Sequence, residues 1–373
     1  MLRRILALFL GITMTLALWI TPAWAHDAPG VSARSFVLMD AGTRTILAES
    51  NADTQMLVAS TTKILTAALV IVHTDDLDEV VTIMPEAVGI EGSSMYLRAG
   101  EEVSVRDLLY GLMLASGNDA ATALAYHVAG GTAEFAALMN EKAAELSMEH
   151  SHFSNPHGLD AEDHLSTARD MAILTAWAME LEDFVQIANT RQIQAAGRSL
   201  VNHNKLLWRY PGAVGVKTGY TKASGRSLVS AVERDGTMLI CVTLSAPDDW
   251  DDHERLYDWG FARYKYHAPI RAGDIFATVP VIAGMQEQVD VIPEMSLSLL
   301  VSPDDVVAVE AYVPRFVYAA VREGEQAGLI RVLVNDEAVL ETRLLFRSTV
   351  LLDESNRLGF WEELRWRFDM MRR

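Results

Sequence analysis

Three short motifs bring together residue types that can carry out acyl transfer. The first is Ser60-Thr61-Thr62-Lys63, a hydroxyl and an amine three residues apart. Residues at that spacing share one helix face, so the amine can reach the hydroxyl. A serine hydroxyl is a weak nucleophile and needs a base. Lysine is a base only when neutral, so its pKa must fall. Apolar surroundings and a neighbouring cation both lower it. The backbone N–H of Ser60, at a helix start, has no partner within the helix and can face a developing oxyanion.

The second motif is Ser116-Gly117-Asn118, in a loop between two predicted helices. Its hydroxyl can relay a proton, and its amide can bind a substrate carbonyl and hold Lys63. The third is Lys217-Thr218-Gly219, ending a predicted strand. A cation and a hydroxyl there can bind a carboxylate. Gly219 lets a substrate backbone approach the strand edge, and the Tyr220 N–H offers a second oxyanion donor. Alone, each motif also reads blandly: a capping serine with a surface lysine, an interhelical turn, a strand-end turn. The argument rests on all three in this order and setting.

The elements around the motifs can be read from periodicity. Arg34–Asp40 and Arg44–Glu49 form a hairpin signal around Ala41-Gly42-Thr43. Ser60 to Val72 reads as a long helix that is apolar on nearly every side, and such a helix is buried. Ser104 is placed to cap a helix reaching Ala115. A second helix follows Asn118 and stops at Gly130-Gly131. A third is capped by Thr132, and Thr167 to Leu181 repeats the pattern. Strands return at Ala213–Gly219, Ser227–Glu233 and Thr237–Ser245, with Asp235-Gly236 as a hairpin turn. This order predicts an α+β domain over residues 30–266, an antiparallel sheet packed with helices. From 267 to about 350 the texture is β-rich, with alternation at Val289/Val291 and Leu297/Leu299, and reads as a small sandwich or barrel.

Composition narrows the function. The chain has 373 residues, 31 Lys+Arg against 50 Asp+Glu, and a net charge of −19. That balance argues against nucleic-acid binding, since no spare cations exist to neutralise phosphates. One cysteine, Cys241, excludes a disulfide framework and a thiolate metal cluster; its apolar strand makes it a core residue. Residues 1–25 read as a secretory signal peptide. Arg3 and Arg4 are followed by an uncharged apolar run from Ile5 to Ile20, and Ala23-Trp24-Ala25 offers the cleavage site. The chain is therefore expected outside the cytoplasm, and more acidic once cleaved. A carboxylate ligand must then be attracted locally, by Lys217, with Lys63, Lys222 and Arg226 nearby. In residues 358–373, Leu358, Trp361, Leu364, Phe368 and Met371 share one helix face among several arginines. Such a helix can lie peripherally on a membrane or dock on its own protein.

This motif set is that of penicillin-binding proteins and class A β-lactamases. The sequence most resembles the serine D-alanyl-D-alanine carboxypeptidases, the low-molecular-weight penicillin-binding proteins of peptidase family S11 type. Supporting stretches are Phe153–Leu159, His164–Met171, Asn202–Leu206 and Gly215–Thr221. The resemblance implies the β-lactamase/transpeptidase-like fold, Ser60 as acyl-ester nucleophile, Lys63 as general base and Ser116 as proton relay. It implies Asn118 as substrate positioner, Lys217, Thr218 and Gly219 around the terminal carboxylate, and oxyanion N–H groups at Ser60 and Tyr220. The implied substrate is a peptidoglycan pentapeptide ending in D-Ala-D-Ala, with β-lactams as covalent inhibitors and no metal or organic cofactor.

Two departures separate the chain from class A β-lactamases. It has Gly117 where those enzymes carry Asp, and no Glu-x-x-Leu-Asn between the second and third motifs. A DD-endopeptidase acting on cross-links would use the same machinery and stays open at this point. His150, His152, His157 and His164 match no His-Glu-x-x-His pattern and read as polar loop residues; His203 is expected to pack near the site.

Overall fold

The computed structural model describes residues 28–353 and Arg365. The signal-peptide segment 1–25 and, apart from Arg365, the amphipathic segment 358–373 lie outside the described residues. The chain forms two compact units. The first takes in residues up to Met39, Ile46–Ala231 and Ile240–Leu256. The second takes in Asp40–Thr45, Val232–Leu239 and the chain from Tyr257 onward.

The first unit opens with β1 (Ser35–Asp40) and β2 (Ile46–Ser50), paired antiparallel. A 3-10 turn at Ala59–Thr62 leads into α1 (Lys63–His73). A short ribbon of β3 (Val80–Thr82) and β4 (Glu102–Ser104) precedes α2 (Val105–Met113). Then come α3 (Asn118–Ala129), α4 (Thr132–Glu145), α5 (Ala168–Ala178) and α6 (Glu182–Asn189). A second ribbon, β5 (Gln192–Ala195) with β6 (Arg198–Val201), and α7 (Leu206–Arg209) lead to the closing strands. These are β7 (Ala213–Thr221), β8 (Gly225–Arg234) and β9 (Thr237–Leu244), followed by α8 (Asp249–Arg263). The sheet order is β2-β1-β9-β8-β7, so both chain ends of the fold meet in one sheet and β7 forms its edge. Every residue of β1, the six consecutive residues Ser227–Val232 of β8 and all but one residue of β9 are buried. Both faces of the sheet are therefore covered.

Local chemistry explains most boundaries. Ser104 caps α2 through Asp107 N–H at 3.1 Å, and Thr167 caps α5 through Asp170 N–H at 3.1 Å. Gly130 ends α3 at φ +79°, a left-handed conformation that favours glycine. Asp235 and Gly236 both have positive φ, as the tight turn between β8 and β9 requires. Two expectations are corrected. Thr132 is the first residue of α4 and makes no cap; Gly131 stands at that position. The long helix does not begin at Ser60. That serine lies on the 3-10 turn, and α1 starts at Lys63. At three residues per turn, positions i and i+3 eclipse, so the tighter turn stacks Ser60 and Lys63 more closely than an α-helix would.

The second unit is β-rich. A two-stranded ribbon pairs β10 (Lys265–Ile270) with β13 (Leu297–Val301). A six-stranded sheet runs β14-β16-β17-β12-β11-β15. Its strands are β11 (Ala277–Ile282), β12 (Gln288–Pro293), β14 (Val307–Tyr312), β15 (Val317–Tyr318), β16 (Gln326–Val334) and β17 (Glu337–Phe346). Asn335 and Asp336, both at positive φ, turn β16 into β17. The expected alternation holds at Val289 and Val291, which are buried in β12.

Candidate active site

Ser60 sits on the 3-10 turn that β7 packs against. Ala59, just before it, is held at φ +48°, an uncommon conformation for a residue with a side chain. Such strain persists only where the surroundings impose it. Gly219 explains part of this. A Cβ on that residue would stand 3.0 Å from Val58 O and 3.2 Å from Ser60 N, so glycine lets the strand edge approach the turn.

Lys63 is fully buried. Its Nζ donates to Ser60 Oγ at 3.0 Å, to Asn118 Oδ1 at 2.7 Å and to the His157 carbonyl at 2.6 Å. Burial lowers its pKa well below the ordinary lysine value. The Lys217 charge lowers it further, and Asp119 opposes the shift. The base thus has the two influences the sequence argument required, and the nearby cation is Lys217. Lys217 is itself buried, and desolvation brings it down to about 7. Its Nζ donates to the Thr218 carbonyl at 3.0 Å.

The second motif is braced from both sides. Asn118 N–H donates to Ser93 O at 2.7 Å, and its Nδ2 donates to Glu91 O at 2.5 Å. Its amide oxygen is thereby aimed at Lys63. Asp119 is buried and binds the loop before it. Oδ1 accepts from Met95 N–H at 3.0 Å; Oδ2 accepts from Leu97 N–H at 3.0 Å and Ser94 Oγ at 2.6 Å. Ser116 is held at φ +60° and is nearly buried.

A cleft of about 520 Å³ joins these parts. Ser60, Ser116, Thr218, Gly219 and Tyr220 line it, with Ser93, His203, Arg226, Asp249 and Trp250. The structure thus brings together Ser60, Lys63, Ser116, Asn118, Lys217, Thr218, Gly219 and Tyr220, all singled out by motif. Their arrangement suits acyl transfer: a nucleophile, a depressed-pKa base at 3.0 Å and an open cleft at the strand edge.

Two of the four loop histidines, His157 and His164, correct the sequence reading, while His150 and His152 are exposed as expected. His164 is buried. Its Nδ1 accepts from Ser154 N–H at 3.1 Å, so its Nε2 carries the proton donated to Thr62 Oγ1 at 2.8 Å. Burial holds it at about 4, and holds His157 at about 3, with the Lys63 charge adding to the second shift. These residues brace the loop against the Ser60 turn. Gly158 marks the closest approach: a Cβ there would lie 1.9 Å from Ala59 O. Sequence reasoning quoted the Phe153–Leu159 stretch but missed that the His157 carbonyl binds Lys63. A backbone acceptor leaves no trace in side-chain type. His203 lines the cleft as expected.

The family model for D-alanyl-D-alanine carboxypeptidase (peptidase S11) matches residues 23–248. The chain belongs to this family of serine peptidases. D-alanyl-D-alanine carboxypeptidase DacC of Escherichia coli is 32% identical over 370 residues, covering 93% of this chain and 90% of that protein. The Bacillus subtilis carboxypeptidase DacF is 31% identical over 335 residues, covering 86% and 85%. Among solved structures, penicillin binding protein 5 from Haemophilus influenzae superposes with a TM-score of 0.74 at 28% identity. It covers 87% of this chain and 99% of that one. For a D-alanyl-D-alanine carboxypeptidase family member the likeness therefore reaches past the matched segment into the β-rich C-terminal unit. Cys241 is buried within this fold, and burial pushes its thiol pKa well above the usual value.

Proposed function

We propose that the protein is an exported serine DD-carboxypeptidase that removes the terminal D-alanine from peptidoglycan stem peptides. The observation that carries this is the buried Lys63 amine, 3.0 Å from Ser60 Oγ at the head of an open cleft. Neutral Lys63 takes the Ser60 proton as Oγ attacks the penultimate D-Ala carbonyl. The backbone N–H groups of Ser60 and Tyr220 hold the oxyanion. Ser116 relays the proton to the departing D-alanine amine. Water then hydrolyses the ester and restores Ser60. Asn118 positions the peptide and holds Lys63, while Lys217, Thr218 and Gly219 line the end of the strand where the terminal residue lies. β-Lactams acylate the same serine.

The same reading divides the chain into a signal peptide at 1–25, a catalytic domain at 30–266 and a β-rich domain at 267–350. An amphipathic segment at 358–373 then associates peripherally with the outer face of the membrane. Among the described residues no helix is long and apolar enough to cross a membrane.

Mass spectrometry after penicillin treatment tests the mechanism. The expected result is one covalent adduct on Ser60, abolished in Ser60→Ala. An adduct that survives this substitution overturns it. In parallel, incubation with defined muropeptides is expected to release free D-alanine from the pentapeptide. Exclusive cleavage of cross-linked dimers would make the protein an endopeptidase instead.

A further inference from the structure

A second hollow, of about 590 Å³, lies between the loop joining β3 to β4 and the hairpin of β5 and β6. Tyr96, Arg98, Glu101 and Arg198 line it, with Gly100 and Gly197. A Cβ on either glycine would meet nothing within 4 Å, so both positions border open space.

Two stretches of chain lead from the catalytic cleft to this hollow. In the loop joining β3 to β4, Ser93 lines the cleft and Tyr96 lines the hollow. In β6, Arg198 lines the hollow; Asn202 and His203, just past the strand, line the cleft. Extended chain spans at most about 3.5 Å per residue, so Arg198 and Asn202 are no more than about 14 Å apart. In a pentapeptide stem, four residues separate the sugar from the scissile bond. Extended, they also reach about 14 Å. A stem peptide that acylates Ser60 can therefore bring its sugar end to the second hollow.

The hollow is polar and rigid. Arg198 Nη1 donates to Glu101 Oε1 at 2.7 Å and to the Ala196 carbonyl at 2.6 Å. Its Nη2 donates to Glu101 Oε2 at 2.9 Å and to the Tyr96 carbonyl at 2.8 Å. Glu101 Oε2 also accepts from Arg98 N–H at 3.0 Å. A carboxylate has about four acceptor sites, and these bonds use three. Tyr96 is held at φ +63° yet is 81% exposed. Its N–H donates to Ser94 Oγ at 2.8 Å, and Arg198 holds its carbonyl. The backbone is clamped on both sides in a strained conformation, while the ring stands in water. Such a ring offers flat, amphipathic contact area at little entropic cost.

Among the described residues, no aliphatic side chain larger than alanine lines the hollow. A peptide side chain would find no apolar pocket there. A sugar ring fits better: its C–H face stacks on an aromatic ring, and its hydroxyls pair with fixed polar groups.

We propose that this hollow binds the glycan of peptidoglycan, with a sugar ring on Tyr96 and its hydroxyls paired with Glu101 and Arg98. The enzyme then prefers a pentapeptide still attached to sugar. The inference rests on the proposed function for the peptide that spans the two hollows; the sugar contact itself does not need it.

The test compares GlcNAc-MurNAc-pentapeptide with the free pentapeptide in wild type, Y96A, Y96F and R98A. In Y96A, kcat/KM for the sugar-bearing substrate is expected to fall about 5- to 20-fold, the scale of a lost ring contact. For the free peptide, and for acylation by penicillin, the change is expected to be less than about twofold. Y96F keeps the ring and is expected to stay within about twofold on both substrates. R98A is expected to lose about 3- to 5-fold on the sugar-bearing substrate alone, and carries the comparison if Y96A does not fold. Equal loss on both substrates overturns the proposal, since Tyr96 would then act through its loop on Asn118. Loss on neither overturns it too. If penicillin acylates Ser60 but neither substrate releases D-alanine, the peptidase reading fails. Saturation transfer to chitotetraose then decides the sugar site by itself. Transfer from wild type that is lost in Y96A upholds the site; equal transfer, or none, overturns it.

Discussion

The stretches of chain before and after Leu256 use ionisable side chains in opposite ways. Up to Leu256, Lys63, Lys217, Asp119, His164, Asp252 and His253 are all buried. Beyond Tyr257 no Asp, Glu, Lys, Arg or His side chain among the described residues is buried; the buried polar groups are Ser302, Thr342 and the Tyr264 ring. Ion pairs there, such as Arg331–Glu341 and Arg347–Asp290, are open to solvent. Burying a charge is costly unless it is bonded and compensated. The first unit accepts that cost where chemistry needs a shifted proton affinity. The β-rich unit has ordinary apolar packing beneath a solvated polar surface, as a structural or binding module would.

The sharpest way to break this contrast is to crowd one glycine in each unit. Gly158→Ala adds a methyl 1.9 Å from Ala59 O at a position held at φ +82°. The loop carrying the His157 carbonyl and the turn carrying Ser60 must then separate. The acylation rate by penicillin is expected to fall by about 100-fold or more, since a displacement near 1 Å costs that much at a reacting centre. Gly328→Ala places a Cβ 2.2 Å from Tyr312 O, between β14 and β16. It is expected to destabilise the β-rich unit by about 1–3 kcal/mol and leave acylation within twofold. Equal effects on acylation would dissolve the distinction.

Acid should sharpen it next. His157, His164 and His253 are held at about 3, 4 and 3 in the folded chain, chiefly by burial. Unfolded, each takes a proton near pH 6.5. Between pH 6.5 and 4 the unfolded state therefore binds protons that the folded state refuses. Stability falls as pH falls, by about 1.4 kcal/mol per pH unit for each histidine. Hydrogen exchange at pH 6.5 and 4.5, corrected for intrinsic rates, is expected to show the first unit opening preferentially. Uniform change across both units would contradict it. The smallest effect is expected from Arg331→Ala, which removes an exposed pair at 3.1 Å. Urea unfolding should register a loss of about 1 kcal/mol or less.

How far the sequence could be read follows the range of the interactions involved. The Ser104 cap, the helix start at Thr167, the Asp235-Gly236 turn and the strands around Lys217 are decided within a few residues, and all are legible in the sequence. The three motifs were legible because their chemistry lies in side-chain type and spacing. The 3-10 start at Ala59–Thr62 was not, because β7 and the Gly158 loop impose it from far along the chain. His164 departs from its expected place for the same reason: polar in type, it is buried against Thr62, 102 residues away. The Arg226–Asp249 ion pair, at 2.7 Å, and the Trp250 ring under the same guanidinium join residues 23 and 24 positions apart across two elements. In the sequence Arg226 reads as a charge near the third motif, and nothing local marks Asp249 as its partner.

The three contacts of Lys63 also decide which way a proton moves. An ammonium has three hydrogens, and Ser60 Oγ, Asn118 Oδ1 and the His157 carbonyl accept all three. Once the amine is neutral it keeps two hydrogens and gains a lone pair, so one partner must turn from acceptor to donor. A carbonyl oxygen has no hydrogen to give. The Asn118 amide cannot rotate to offer its NH2 without abandoning Glu91 O. Only the Ser60 hydroxyl can reverse by spinning about its Cβ–Oγ bond. Two acceptors with fixed polarity leave the lone pair a single satisfied orientation, toward the serine. Counting hydrogens thus fixes the direction of the Ser60–Lys63 hydrogen bond once burial has made the amine neutral.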